Sequence, residues 1–232
     1  MNTFFGIIQN NAAILNEDES LHCVKVLRHK VGDTIRVIDG KGTIAIGKIE
    51  AAHAKQCAVS LIEKEVVKPT RNYTLHIAIA PTKNIERIEW FVEKAVEIGI
   101  DEISFTKCNN SERAVIKDDR LKKVAEAAVK QSQQAYIPKI NSLITFKEFI
   151  KLDTSDIKLI AHCEKENKQS LKQHISTEKR FTMLIGPEGD FSKDEIALAL
   201  SVGYLPVTLG ESRLRTETAG LFVCNAFAAI NC

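Results

Sequence analysis

Residues 181–192 read FTMLIGPEGDFS, a short apolar run that ends in a loop with two glycines and a proline. A second run and loop follow, since residues 205–220 read LPVTLGESRLRTETAG. Ser192 and Glu195 have the spacing of a capping box, which predicts that a helix begins at the first loop. Residues 216–230 are a further predicted helix, so each loop joins the end of a predicted strand to the start of a predicted helix.

Strand and helix patterns alternate in the same way from Tyr73 onward. The helix predicted over 84–98 stops at Gly99, because glycine is favoured just past a helix C-terminus. Such alternation predicts a mainly parallel sheet with helices on both faces. The predicted strands are 75–80, 102–105, 158–162, 181–185 and 205–209, and the predicted helices are 84–98, 118–134, 192–203 and 216–230.

Residues up to about 68 are rich in strand patterns instead. Residues 34–46 predict a hairpin around an Asp-Gly turn, and residues 57–62 predict another strand. Residues 20–28 predict a short helix, and short strands with one short helix indicate a small β-barrel. The charged segment 63–71 is a predicted linker. We therefore expect one domain over residues 1–70 and a second over residues 71–232.

The composition is that of an ordinary globular protein, since 44% of the 232 residues are hydrophobic and 27% are charged. The net charge of +2 permits a nucleic-acid partner but does not argue for one. The six cysteines are scattered, without a CxxC pair or a Cys/His pair at metal spacing, which predicts reduced thiols and no metal site. We find no signal-peptide pattern and no apolar run of membrane-spanning length, so we expect a cytoplasmic location and no membrane partner.

The two glycine loops form the candidate functional site. In a parallel α/β sheet, ligands bind outside the carboxyl ends of the strands, where both loops are expected to lie. Gly186 and Gly189 let the backbone approach a ligand closely, while Pro187 stiffens the turn. The alternative is that these glycines only make turns. Neither loop has the Walker A pattern or GxGxxG in a first strand–helix unit, so the residues predict a small-molecule site without naming its ligand.

Both loops resemble the signature loops of the SPOUT methyltransferase superfamily and, within it, of the ribosomal small-subunit RNA uridine-N3 methyltransferase family. The loop motifs are Gly186-Pro187-Glu188-Gly189-Asp190-Phe191-Ser192 and Leu209-Gly210-x-x-x-Leu214-Arg215-x-Glu217-Thr218-Ala219. Further matches are His22-x-x-x-Val26-Leu27-Arg28 followed by Gly32-Asp33, Lys83 with Glu93-Lys94-Ala95-x-Glu97-x-Gly99, and Ser111-Glu112-Arg113. One segment departs from the family pattern: the family often has Glu-Gln-Ser-x-Arg where this chain has Lys130-Gln131-Ser132-Gln133-Gln134. An arginine contact to RNA is therefore not carried over to that segment.

The resemblance implies an α/β fold of two parts, a small N-terminal PUA-like RNA-binding β-barrel and a C-terminal SPOUT-type domain with a trefoil knot. The implied knot is unusual, because threading of the chain is disfavoured in protein folds. The resemblance also implies S-adenosylmethionine as cofactor, small-subunit ribosomal RNA as substrate, and a homodimer whose active sites include both protomers. The predicted cofactor-binding residues are His162, Gly186, Pro187, Glu188, Gly189, Leu209, Gly210, Ser212, Leu214, Thr218 and Ala219.

Methyl transfer to N3 of uridine requires loss of the N3 proton, so a general base or a cation that stabilises the uridine anion is needed. Glu217 is the candidate base and Arg215 the candidate cation. Each has a structural alternative. An acid in the first turn of a helix is favoured by the helix dipole alone, and Arg215 can simply pair with Glu217 or Glu188.

Four basic residues are predicted RNA contacts: Lys25, Arg28, Arg71 and Arg113. Segment 111–151 also holds nine Lys/Arg against five Asp/Glu, an excess of four, although an excess of this size is equally typical of a solvated face. Two other functions stay open at this point. One is a non-catalytic RNA-binding or ribosome-assembly protein, and the other is a nucleotide- or phosphate-binding enzyme that uses the Gly186 loop as an anion site.

Overall fold

A closed barrel of five strands forms the first of two units in this computed structural model, which describes residues 1–69, 71–165, 168–177 and 179–230. The first unit contains Met1–Thr70 and Val129–Ile137, and the second contains Arg71–Ala128 and Pro138–Cys232. The barrel has the strand order β1-β2-β5-β4-β3 and closes because β1 pairs with β3 in parallel. Its strands are β1 (Thr3–Gln9), β2 (Ala12–Leu15), β3 (Thr34–Ile38), β4 (Thr43–Ala51) and β5 (Ala58–Val66).

The predicted hairpin is confirmed as β3 and β4, which pair antiparallel around the Asp-Gly turn. The Asp39 carboxylate holds this turn, because its Oδ1 accepts hydrogen bonds from the backbone N–H groups of Lys41 at 2.7 Å and Thr43 at 2.9 Å. Phe4 and Val37 lie among the fully buried side chains that fill the barrel. The predicted small β-barrel is therefore confirmed, although β1 and β2 were not among the predicted strands.

Two local predictions in this unit are wrong in their bounds. The helix predicted over residues 20–28 is a short α-helix, α1 (Glu17–Leu21), followed by a π-helical turn over His22–Val26. The first helix starts earlier because the Asn16 side chain caps it, accepting a hydrogen bond from the Glu19 N–H at 2.8 Å. The charged segment is also not a linker throughout, because residues 63–66 continue β5 and pair with β4. Their charged side chains are exposed, while the backbone completes the sheet.

The second unit contains a seven-stranded sheet in which every pairing is parallel, as predicted. Its strands are β6 (Thr74–Ile79), β7 (Glu102–Lys107), β8 (Lys139–Thr145), β9 (Ile157–Ala161), β10 (Gln169–Ser170), β11 (Arg180–Ile185) and β12 (Leu205–Thr208). Its helices are α2 (Ile85–Ile98), α3 (Asp118–Gln131), α4 (Phe146–Leu152), α5 (Lys193–Ser201) and α6 (Thr216–Ile230), with a 3-10 turn at Leu171–Gln173. The end of α3 belongs to the first unit.

The strand order of the sheet is β10-β12-β9-β11-β6-β7-β8, which differs greatly from the order along the chain. Strand β11 inserts between β9 and β6, and β12 then inserts between β10 and β9. As a result the ends of β9, β11 and β12 lie side by side. The trefoil knot implied by the resemblance stays a prediction.

Helix α6 packs closely on α2 beneath this sheet. A Cβ atom at Gly220 of α6 would lie 2.6 Å from the ring of Phe91 in α2, so glycine is required for this approach. Phe227 of α6 packs edge-on against Phe181 of β11 with ring centroids 4.8 Å apart. These contacts hold α6 against α2 and β11. Within the described ranges, no helix is both long and apolar enough to cross a bilayer.

Candidate functional site

A cavity of about 540 Å³ opens at the carboxyl ends of β9, β11 and β12. Two loops form most of its wall: the first loop, residues 186–192, follows β11, and the second loop, residues 209–215, follows β12. The segment after β9 completes the wall with His162, Cys163 and Lys168. The lining residues are Ala161, His162, Cys163, Lys168, Ile185, Gly186, Pro187, Glu188, Asp190, Val207, Thr208, Leu209, Gly210, Glu211, Ser212, Arg213, Leu214, Arg215, Thr216 and Ala219.

The first loop is tied to its surroundings by side-chain hydrogen bonds. The Asp190 carboxylate Oδ2 accepts a bond from the Cys163 N–H at 2.7 Å. The Asn110 amide donates to the Gly189 and Asp190 carbonyls at 3.2 and 3.1 Å. Glu188 Oε1 accepts a bond from the Lys83 N–H at 3.0 Å. The loop is therefore connected to the segments that follow β6, β7 and β9.

The first loop ends in the predicted capping box, which is confirmed. Ser192 Oγ accepts a bond from the Glu195 N–H at 3.3 Å, and Glu195 Oε2 accepts one from the Ser192 N–H at 2.9 Å. The second Glu195 oxygen accepts a bond from the Asn109 N–H at 2.8 Å. Because Glu195 is buried, these bonds also satisfy a carboxylate that would be costly to leave unpaired.

The two loops are joined directly by Thr216, the first residue of α6. Its hydroxyl donates a hydrogen bond to the Gly186 carbonyl at 3.0 Å, and the pair is buried. Gly186 is confined as well, since an added Cβ would lie 3.1 Å from the ring of Phe191. The backbone at Gly186 thus forms a close wall of the cavity without a side chain of its own.

The second loop is more open. Gly210 has a φ of 127°, a backbone conformation that other residues rarely adopt, and nothing lies within 4 Å of where its Cβ would be. The Thr208 hydroxyl donates a hydrogen bond to the Gly210 carbonyl at 3.1 Å and accepts one from the Gly210 N–H at 3.2 Å. Arg213 and Arg215 are exposed at this loop. Three acids (Glu188, Asp190, Glu211) and three bases (Lys168, Arg213, Arg215) line the cavity, so it can accept a ligand with charges of both signs.

Comparison with known proteins identifies the family. Residues 69–228 match the RNA methyltransferase domain, and residues 15–62 match the RNA methyltransferase PUA domain. The first of these matches covers well over half of the chain. The chain belongs to this RNA methyltransferase family.

Relatives with assigned names point in the same direction. The chain is 28% identical to the Ribosomal RNA small subunit methyltransferase E of Rickettsia conorii, covering 93% of this chain and 88% of the relative. It is 39% identical to a probable rRNA-methyltransferase of Porphyromonas gingivalis, with a TM-score of 0.89 and coverage of 100% and 98%. Ribosomal RNA small subunit methyltransferase E of Neisseria gonorrhoeae, solved with S-adenosyl methionine, has the same fold at 23% identity and a TM-score of 0.83, with coverage of 99% and 98%.

These matches confirm the predicted fold class of this methyltransferase, an N-terminal PUA-like barrel and a C-terminal α/β domain. Of the predicted cofactor-binding residues, the structure brings nine to the cavity wall: His162, Gly186, Pro187, Glu188, Leu209, Gly210, Ser212, Leu214 and Ala219. Gly189 and Thr218 are not among the lining residues, and Thr218 is exposed on α6. Binding by all of these residues stays a prediction.

Sequence reasoning missed the contribution of the segment after β9 beyond His162. Cys163 and Lys168 line the cavity, and Lys168 Nζ donates to the His162 carbonyl. No local pattern marks this segment, because it joins the site only through the strand order. The surroundings of the Cys163 thiol raise its pKa. Desolvation is the larger cause, and the nearby Asp190 carboxylate is the next. Within the described residues, no cluster of three or more His, Cys, Asp or Glu could hold a metal ion.

The two candidate catalytic residues are placed differently. Arg215 lines the cavity and is exposed. Glu217 does not line it: its side chain is buried, with Oε1 3.7 Å from the guanidinium of Arg87 in α2. The second oxygen of Glu217, Oε2, is buried and has no hydrogen-bond partner among the described residues. Its placement in the first turn of α6 agrees with the structural alternative of helix-dipole stabilisation.

The four predicted RNA contacts also separate into two groups. Lys25 and Arg28 are exposed on and just after the π-helical turn of the barrel. Arg71 instead forms an ion pair with Asp101 at 3.0 Å. Arg113 donates to the Thr82 carbonyl at 3.0 Å and to the Lys83 carbonyl at 2.5 Å. These last two guanidinium groups therefore hold local structure in the second unit.

Lys130 marks the departure from the family pattern noted in the sequence. Its ammonium group contacts Glu19 Oε1 at 2.5 Å, and both residues belong to the first unit. Glu19 is buried, so Lys130 compensates a charge that would otherwise be costly. Lys130 thus forms an internal ion pair at the position where the family pattern has glutamate, and Gln134 stands at the position of the family's arginine.

Proposed function

We propose that this protein transfers the methyl group of S-adenosylmethionine to N3 of a uridine in small-subunit ribosomal RNA. The observation that carries the proposal is the cavity built by two glycine loops at three adjacent parallel strand ends, in a chain of the RNA methyltransferase family. The names of the relatives support the ribosomal substrate. The N3 position rests on the family resemblance of the loop motifs.

The cavity fits the proposed cofactor in size and chemistry. Its volume of about 540 Å³ lies in the range of small-molecule sites. Gly186 and Gly210 line the cavity without a side chain, so a flat ring can approach the backbone closely at both positions. The acids and bases of the wall suit the carboxylate, ammonium and sulfonium groups of this molecule. When bound, S-adenosylmethionine supplies an electrophilic methyl group.

In the proposed mechanism, the protein must orient the uridine and lower the cost of removing its N3 proton. Arg215 is suited to stabilise the uridine anion, because its cationic guanidinium is exposed at the cavity. The loop carrying it is open to a large substrate. General-base assistance is typically worth about two to four orders of magnitude in rate.

Glu217 stays the candidate base from the sequence. Its unpartnered buried Oε2 atom supports a functional role, since such an atom is costly to maintain. Its place against Arg87 and outside the cavity wall supports a structural role. Glu217→Gln separates the two roles, because the amide keeps the shape of the side chain but cannot accept a proton. If Glu217 is the base, the variant loses methyl transfer and keeps its thermal stability.

We further propose that the protein acts as a homodimer, as the resemblance implies. Trp90 on α2 and Phe222 on α6 are large apolar side chains with 42% and 41% of their surface exposed. They lie on α2 and α6, two helices that pack together. Light scattering at several concentrations tests this proposal, and a monomer at micromolar concentration contradicts it.

The RNA partner is proposed to contact the barrel at Lys25 and Arg28, with the substrate uridine reaching the cavity. Affinity for RNA should fall steeply with salt, because each neutralised phosphate releases counterions. A salt-independent affinity contradicts this contact. A cytoplasmic location stays a prediction.

Two measurements test the proposed function. Calorimetry with S-adenosylhomocysteine and with ATP separates a methyltransferase from a nucleotide-binding enzyme, and we expect binding of the first only. Mass-spectrometric mapping of ribosomal RNA, with and without the gene, should reveal one uridine that loses its N3 methyl group. A non-catalytic assembly protein would leave every modified uridine unchanged.

A further inference from the structure

Asp190, a residue of the cavity wall, has an unusual backbone conformation. Its φ is 63°, in the left-handed region that favours glycine, and it is the one non-glycine residue with positive φ among the described lining residues. Aspartate tolerates this conformation better than most residues, but at a cost that glycine would avoid. Such strain persists only where other contacts compensate for it, and here a contact of the Asp190 side chain does so.

The Asp190 side chain makes that contact with the backbone of another strand end. Its Oδ2 accepts a hydrogen bond from the Cys163 N–H at 2.7 Å, although the two residues are 27 positions apart. Its Oδ1 accepts a bond from the Phe191 N–H at 2.8 Å. The Asp190 N–H donates to the Pro187 carbonyl at 2.9 Å, which closes the turn of the first loop. Both carboxylate oxygens are thus directed at backbone N–H groups.

Cys163 directly follows His162, and both line the cavity just beyond the end of β9. Cys163 is an exposed residue, and its backbone N–H bonds to Asp190. A bond from the first loop across to this segment fixes the distance between two walls of the cavity. A glycine at position 190 would relieve the strain but could not make this bond.

We propose that Asp190 is a positioning residue whose carboxylate pins the segment after β9 to the first loop and so sets the shape of the cofactor cavity. The identity of the ligand in this proposal rests on the proposed function above, whereas the pin itself is a property of the protein without ligand. Ligand binding benefits from the pin because the two segments are ordered before the ligand arrives.

Three substitutions of Asp190 distinguish the effect of its hydrogen bond to Cys163 from the effects of its charge and of its backbone strain. Asp190→Asn keeps an oxygen that can accept the Cys163 bond and removes the charge. Asp190→Gly removes the bond and relieves the strain. Asp190→Ala removes the bond and keeps the strain, so a binding loss shared by Ala and Gly cannot be attributed to strain.

The first measurement is amide hydrogen exchange at Cys163 by NMR in the ligand-free protein. We expect about tenfold faster exchange in the Gly and Ala variants and a smaller change in the Asn variant. The second is calorimetry with S-adenosylhomocysteine. We expect binding about tenfold weaker in the Gly and Ala variants, equivalent to about 1.4 kcal/mol, and within about threefold of the natural protein in the Asn variant.

Each failure has a distinct meaning. Unchanged Cys163 exchange in the Gly variant overturns the pin, and so does unchanged binding in that variant. Equal binding losses in the Asn and Gly variants also overturn it, because the charge and not the position would then matter. If the natural protein does not bind S-adenosylhomocysteine, the proposed function fails, while the exchange measurement still decides whether Asp190 holds Cys163.

Discussion

The first and second loops line the same cavity but are built in opposite ways. In the first loop, Gly186 and Pro187 are buried, and Asp190 and Glu188 bond to segments elsewhere in the sheet. The second loop is exposed from Gly210 to Arg213 and is held at its base by Thr208. Because hydrogen bonds already hold the first loop in place, it loses less conformational freedom when a ligand binds. An open loop keeps its arginines accessible to an anionic substrate, so the contrast indicates a division between holding the cofactor and meeting the RNA.

The largest expected effect tests the chemical role of the open loop. Arg215→Ala should lower kcat for methyl transfer by about 100-fold or more, because the uridine anion loses its stabilising cation. S-adenosylhomocysteine affinity and the melting temperature should stay close to those of the natural protein. Arg213→Ala, in the same exposed loop, is the matched control and should have a smaller effect on kcat. Full turnover by the Arg215 variant, measured with ribosomal RNA, would remove this assignment.

The next effect tests the link between the two loops. Thr216→Val keeps the shape of the side chain but leaves the buried Gly186 carbonyl without its donor, which should lower the free energy of unfolding by about 1–3 kcal/mol. Cofactor binding should weaken by about tenfold, since the second loop loses its connection to the first. Thr216→Ser retains the hydroxyl, so it should keep most of the free energy of unfolding and most of the cofactor affinity. Calorimetry and urea unfolding measure the two quantities, and a Val variant that equals the Ser variant would contradict the link.

A smaller effect compares the two glycines. Gly186→Ala places a Cβ 3.1 Å from the Phe191 ring, so it should lower the free energy of unfolding by about 1–3 kcal/mol. Gly210→Ala meets no neighbour within 4 Å, so its cost is the strain at φ 127°, part of which rearrangement of the exposed loop should relieve. We therefore expect a smaller drop in melting temperature for Gly210→Ala than for Gly186→Ala, with cofactor binding weaker by about threefold. Equal melting temperatures for the two variants would mean that the loops do not differ in rigidity.

The smallest effect concerns the thiol beside the braced loop. Because the Asp190 carboxylate contributes to raising the pKa of Cys163, less thiolate is present at pH 8 than for an ordinary cysteine. Asp190→Asn should lower this pKa and speed alkylation of Cys163 at pH 8 by about twofold. Cys108 is the internal control, since burial raises the pKa of its thiol to about 12. Alkylation is followed by mass spectrometry of the two peptides, and a slower reaction in the variant would reverse the expected sign.

Much of the second unit could be predicted because its signals are local. Asn84 caps α2 through its side chain, and Gly99 ends the helix with a φ of 108°. Ser192 and Glu195 start α5 as their spacing predicted. The same type of signal was present and overlooked at α4, where Thr145 and Glu148 form a second capping box. Such signals act over three or four residues and do not depend on the rest of the fold.

Strands were harder to predict, because their partners lie far away in the sequence. Residues 63–66 carry the charges of a linker, yet they pair with β4 and extend β5. Strand β8 was also missed, although it pairs in parallel with β7. For a strand, pairing and burial by distant segments outweigh local composition.

The sequence by itself determined the two glycine loops, the helices that follow them and the family of the protein. Only the tertiary structure decided which residues meet there. The insertion of β11 and β12 beside β9 brings Cys163 to Asp190 across 27 positions and Thr216 to Gly186 across 30. It also turns Glu217 toward Arg87 while Arg215 lines the cavity. Local patterns report propensities over a few residues, whereas these contacts follow from strand order, which the whole chain determines together.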